Sequence, residues 1–193
     1  MHKVASKMTV KFWGLILILL FARACDFYAT SLWIFQENGL KNETNPLTKY
    51  FGFGWNGLVL SNIALVALII AGHYYYTFRY VPRQLTDKST NVFDFVSELY
   101  FNKKGQFYKV FYAFPKDKKM LIAHFGYVLI RVLIIGSFLA TFHNLCQFYS
   151  VPFYNTFRQI VSRPLFVIYG IIVLSFVYFQ FRLFEKEYIS QIN

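Results

Sequence analysis

Four long apolar runs organise the chain, at about 12–35, 57–78, 120–146 and 164–184. Each reaches or exceeds the roughly 20 residues that an α-helix needs to cross a bilayer core. The pattern predicts an all-α integral membrane protein, a bundle of four transmembrane helices forming a single membrane domain over residues 1–193. The first run follows a basic start, MHKVASKMTVK, which resembles the opening of a signal peptide. Its apolar character continues through Phe27, Leu32, Trp33 and Phe35, longer than a signal-peptide core, so it reads as a retained helix.

Between the runs, two short loops and one longer segment remain. The first loop carries Gly39, Asn45-Pro46 and FGFGW at 51–55, a composition of turns and interfacial aromatic anchors. In the second, Pro152 and Pro164 bracket a stretch expected to lie along the membrane surface. The middle segment, 81–119, is the sizeable part outside the membrane. VFDFVSELYF forms a short helix if Asn91 caps it, with Val92, Phe95, Val96 and Leu99 on one face. It pairs with QFYKVFYAF as a β-hairpin if NKKG at 102–105 is the turn. The aromatic content of the second run tips the reading towards a hairpin or a helix-turn mixture on the inner leaflet.

Composition agrees with a membrane class: 56% hydrophobic, 22% aromatic and only 15% charged residues. The formal charge of +11 changes the picture through its distribution. Fourteen Lys and Arg fall at the N-terminus, from Arg79 to Lys119 and near the C-terminus, against four (Lys41, Lys49, Arg158, Arg163) in the other loops. That asymmetry predicts both termini and the middle segment in the cytoplasm of a cell membrane, a bacterial or archaeal inner membrane in preference to a eukaryotic one. Lys103, Lys104, Lys109, Lys116, Lys118 and Lys119, interleaved with Phe and Tyr, make a surface for anionic lipid headgroups or a cytosolic protein. The same lysines satisfy the topology rule, so nucleic acid is not needed to explain them. Cys25 and Cys146 show no disulfide framework, and Asn42-Glu43-Thr44 matches a glycosylation acceptor that matters only in a eukaryotic secretory pathway.

Polar groups inside the apolar runs carry the candidate chemistry. Arg23, Asp26 and Thr30 are spaced three and four apart, hence share one helical face, and Asn38 or Glu43 can approach its outer end. Ionisable groups at mid-bilayer cost about 2.5–3.5 kcal/mol on insertion scales, so that face turns inward. Arg131 lies at a depth similar to Arg23 if the two helices run oppositely, and Asn62 on the second run reaches the same half of the membrane. The expected cluster is Arg23, Asp26, Thr30, Glu43, Asn62 and Arg131. It serves either as a structural ion pair fixing helix register or as a conduction or ligand site.

The D-x3-T spacing of Asp26 and Thr30, followed by E-x-N-P-L at Glu43, Asn45, Pro46 and Leu47, resembles the first helix and loop of a family of small prokaryotic membrane proteins to which no activity is attached. The resemblance covers residues 23–62 and implies that Asp26, Thr30, Glu43 and Asn45 belong to one unit. The middle segment and the later helices do not share it.

No HExxH, GxSxG, paired CxxC or glycine-rich phosphate loop occurs in the sequence, so no catalytic residue, metal site or cofactor is expected. His73 and His124 fall at similar depth, as a haem pair would, but beside the tyrosines of GHYYY they read as interfacial histidines. The function expected is a non-enzymatic membrane subunit that forms homo-oligomers or recruits a cytosolic partner through its basic, aromatic segment. The alternative is a small oligomeric ion channel or transporter built on the Arg/Asp/Thr cluster.

Overall fold

A computed structural model describes residues 2–37, 39, 46–85 and 91–192. Asn38, Glu43, Asn45 and the Asn42–Thr44 acceptor lie outside the described residues. The chain is all-helical, 82% helix with no strand among the described residues. Helices α1 (His2–Ile34), α3 (Trp55–Phe78), α5 (Lys118–Phe148) and α7 (Pro164–Ile192) are joined by the shorter α2 (Pro46–Phe51), α4 (Val92–Phe101) and α6 (Pro152–Ile160). The four long helices are long and apolar enough to cross a membrane, which makes this a multi-pass membrane protein. The last of them runs to Ile192, past the apolar run that ends near 184, because the charged stretch EKEY continues the helix and buries one face.

The chain divides into two compact units, one of residues 1–68 and 131–175, the other of 69–130 and 176–193. In the first unit, Phe12, Ile16, Leu19 and Ala22 of α1 are buried at three- and four-residue intervals. Prolines open α2, α6 and α7, where the missing N–H has no intrahelical partner to lose. Gly52, with φ +67°, takes the left-handed turn after α2 that a side chain would strain.

The second unit holds an aromatic core in which Phe95, Val96, Leu99 and Tyr100 of α4 meet Met120 of α5 and Phe184 of α7. Here the β-hairpin expectation fails. The buried positions 95, 96, 99 and 100 follow helical periodicity, Asn91 Oδ1 accepts from the Asp94 N–H at 2.8 Å, and Asn102 ends the helix in a left-handed conformation. NKKG is the turn, but it leads into a short 3-10 helix, Phe107–Phe111, instead of a strand. Within this unit α3 and α5 touch backbone to backbone: a Cβ on Gly126 would lie 2.0 Å from the Gly72 carbonyl carbon. Small residues permit such an approach.

Candidate functional site

The buried stripe of α1 changes character partway along the helix. Phe12, Ile16 and Leu19 give way, on the same face, to Arg23, Asp26, Thr30 and Trp33. The polar half of the stripe borders a cavity of about 620 Å³ in the first unit, whose other walls include Asn62 of α3, Asn144 of α5, Tyr169 of α7 and, just past α1, the carboxylate of Glu37.

Arg23 organises this cavity. Its side chain is only 12% exposed, and that of Asp26 15%. Nη1 donates to Asp26 Oδ2 at 2.5 Å and to Ser137 Oγ at 3.0 Å, and Nη2 donates to Asn62 Oδ1 at 2.5 Å. The guanidinium carbon stands 5.1 Å from the centre of the Phe27 ring, a cation–π contact. Buried Nε has no hydrogen-bond partner among the described residues. A guanidinium has five N–H bonds in a fixed plane, so the three hydrogen bonds leave the fork with donor capacity to spare. Farther along α1, Asn144 Nδ2 donates to Thr30 Oγ1 at 3.2 Å, and Trp33 Nε1 donates to the Asn144 carbonyl at 3.1 Å. An arginine with unspent donors, a carboxylate beside it and amides around it can hold a small polar group through several directed hydrogen bonds.

Of the residues expected to cluster, the structure therefore brings Arg23, Asp26 and Asn62 into direct contact and sets Thr30 one helical turn away. Arg131 is half-buried on α5, while the α5 groups that meet Arg23 and Thr30 are Ser137 and Asn144. Glu43 lies outside the described residues. Lys103, Lys104, Lys116, Lys118 and Lys119 are exposed and Lys109 is half-exposed. Lys104 Nζ approaches Glu98 at 3.9 Å, a loose surface pair. Ser137 and Asn144 were not singled out from sequence. Their signal is a spacing of seven, which puts both on one face of α5.

A second polar cluster, in the other unit, also escaped the sequence reading. His124 and Glu187 are each 2% exposed, with His124 Nε2 at 3.0 and 3.1 Å from the two carboxylate oxygens. The Tyr100 hydroxyl lies 2.7 Å from His124 Nδ1 and accepts from Gln180 Nε2 at 3.1 Å. Burial, reinforced by the negative charge of Glu187, raises the Tyr100 hydroxyl pKa above its ordinary value, and the Tyr80 hydroxyl is raised by the same two causes. With both ring nitrogens engaged, His124 has no free lone pair to offer an axial iron, so the geometry does not fit the haem-pair alternative. Both cysteines are free thiols, Cys146 buried and Cys25 partly so.

Comparison of the chain with protein-family models, curated proteins and solved structures finds no match.

Proposed function

We propose that this protein is a non-enzymatic, multi-pass membrane subunit that receives a small polar solute bearing an oxyanion, a carboxylate or phosphate, in the Arg23 cavity, and works as a channel or transporter. One observation carries the reading. A buried guanidinium with an unbonded Nε borders a cavity large enough for a small solute, among polar groups from α1, α3 and α5. Ionisable residues in apolar spans are costly and are found along ligand and ion pathways, and a purely structural ion pair needs no cavity beside it. The proposed orientation has both termini and residues 81–119 in the cytoplasm, from the fourteen-to-four distribution of Lys and Arg. An impermeant amine reagent on intact cells should then label Lys49 and spare Lys104.

The test is binding and uptake. Protein in lipid nanodiscs is screened by thermal shift against small carboxylates and phosphates, and proteoliposomes are loaded with those that stabilise it. Arg23→Lys keeps the charge but loses the planar fork, so affinity should fall about tenfold. A wild-type protein that no tested anion stabilises, with flux equal to that of Arg23→Lys, would sink the reading.

A second reading, assembly with itself or with a cytosolic protein through residues 81–119, is favoured by a separate observation. Phe111, Tyr112 and Phe114 are each about 70% exposed, at 72%, 69% and 73%, beside the exposed lysines 116, 118 and 119. Aromatic side chains this open, next to cations, are the composition of a protein or headgroup contact. Replacing the three with serine should abolish co-purification of any partner or higher oligomer while leaving the monomer folded. Unchanged assembly by light scattering counts against it.

A further inference from the structure

The first unit contains a second cavity, of about 780 Å³, between α6 and the start of α7. It arises from the sequence of α6. Asn155, Arg158 and Gln159 share one face of the helix and line the cavity, together with Ser162 just past its end. Flanking that polar face, one turn before Arg158, Tyr154 is buried, hydrogen-bonded to His143, edge-to-face with Phe142 and in tilted contact with Phe157. The short helix is thus held by its aromatic face and presents its polar face to the cavity. Arg163, just past the end of α6, joins Arg158 in the lining and lies 5.5 Å from the centre of the Phe166 ring. Among the described residues no carboxylate lines this cavity. Two guanidinium groups therefore share a recess without a counter-charge, next to the apolar side chains of Leu165 and Phe166.

From this arrangement we infer a binding site for a phosphate group, held by Arg158 and Arg163 with Gln159 and Ser162 as neutral donors. Two exposed arginines on one recess make a positive patch that attracts an anion, and phosphate accepts from the guanidinium fork with two parallel hydrogen bonds. The apolar side chains at the start of α7 suit the first carbons of an acyl chain or glycerol backbone, so a membrane phospholipid and a free phosphate share the chemistry that this recess recognises. The inference does not rest on the Arg23 cavity, because neither Arg23 nor Asp26 lines the recess.

Native mass spectrometry of the full chain, incubated with equal amounts of phosphatidylglycerol and phosphatidylcholine, tests it. The wild-type protein should retain the anionic lipid preferentially, and the Arg158→Gln/Arg163→Gln variant should lose that preference by about tenfold. Lys11→Gln, which removes an exposed cation of α1 that lines neither cavity, should keep it. Inorganic phosphate is the second arm: thermal protection that is smaller in the Arg158/Arg163 variant than in wild type, without any lipid preference, also supports the site and assigns it to free phosphate, and protection left in that variant belongs to the Arg23 cavity. Equal behaviour of wild type and the Arg158/Arg163 variant in both arms overturns it. A diazirine-bearing phosphatidylglycerol on the wild-type protein supplies a readout that does not depend on the variant folding. Label should concentrate on residues 158–169, and label confined to the middle segment overturns the site.

Discussion

His124 and Glu187 stand 63 residues apart in sequence and meet at 3.0 Å with 2% of each side chain exposed. Facing a carboxylate that accepts, Nε2 is the donor of this pair, and in that tautomer Nδ1 accepts from the Tyr100 hydroxyl. Tyr100, His124, Glu187 and Gln180 thus form one connected set, with the Tyr80 hydroxyl 3.4 Å from His124 Nε2, and removing Glu187 leaves that nitrogen buried with only this longer contact.

Glu187→Ala is expected to destabilise the protein by about 3–5 kcal/mol, the cost of leaving one partner of a buried pair alone. Glu187→Gln, which keeps an acceptor oxygen, should cost about half of that or less. Denaturation in mixed detergent micelles measures both. Equal losses for the two variants would mean that the pair contributes shape and no polar interaction.

The Arg23–Asp26 pair predicts strong non-additivity. Asp26→Asn leaves the arginine charged and short of its carboxylate, whereas Arg23→Gln/Asp26→Asn removes both charges. The double variant should be more stable than the sum of the single changes by about 1–3 kcal/mol. A coupling near zero would show that Ser137 and Asn62 alone hold the guanidinium.

Alkaline pH should loosen the second unit through Tyr100. Its hydroxyl pKa is raised in the folded protein, so its contribution is complete below the unfolded value of about 10. Above that value the unfolded chain releases a proton that the folded chain keeps, and stability falls by up to about 1.4 kcal/mol per pH unit. Tyr100→Phe should be less stable at neutral pH but show a shallower decline between pH 9.5 and 11.5, read from denaturation midpoints. Parallel curves would contradict the burial of this hydroxyl.

At the α3–α5 contact, Gly126→Ala must push the helices apart, since the added carbon would lie 2.0 Å from the Gly72 backbone. A loss of about 1–3 kcal/mol is expected. Gly170→Ala, where a Cβ meets nothing within 4 Å, is the matched control and should be neutral or slightly stabilising. The comparison is of thermal inactivation midpoints in one detergent.

Much of this architecture could be read from the chain, because burial in a bilayer demands long uninterrupted apolar runs that few other folds require. The contact of Arg23 with Asp26 followed from helical spacing, and Asn62 stood out as an amide in an apolar run. Glu187 was invisible for the opposite reason. It sits between Lys186 and Tyr188, in a stretch whose charges read as a solvated helix end, and only the fold shows which side chain turns inward. Ser137 and Asn144 are common residues in apolar helices, and their spacing of seven marks a shared face of α5 without saying which helix it meets. For the middle segment the sequence leaves a hairpin and a helix-turn mixture open, since aromatic residues favour strands in isolation, and the helix-turn arrangement is the one formed. There the tertiary contacts of Phe95, Leu99 and Tyr100 outweighed propensity, and the Asn91 cap was the local clue to weigh more heavily.

Helix α7 carries a last implication. No residue of its most apolar eighteen-residue stretch is buried by the rest of the chain. Selection on that stretch therefore acts on oiliness and length but hardly on shape. Leucine, valine, isoleucine and phenylalanine should interchange there freely in a saturation library, while the deeply enclosed Leu183 and Phe184 beyond it tolerate few replacements. A tolerance map of this one helix would thus change from permissive to strict along its length, tracing where the surrounding medium hands over to protein.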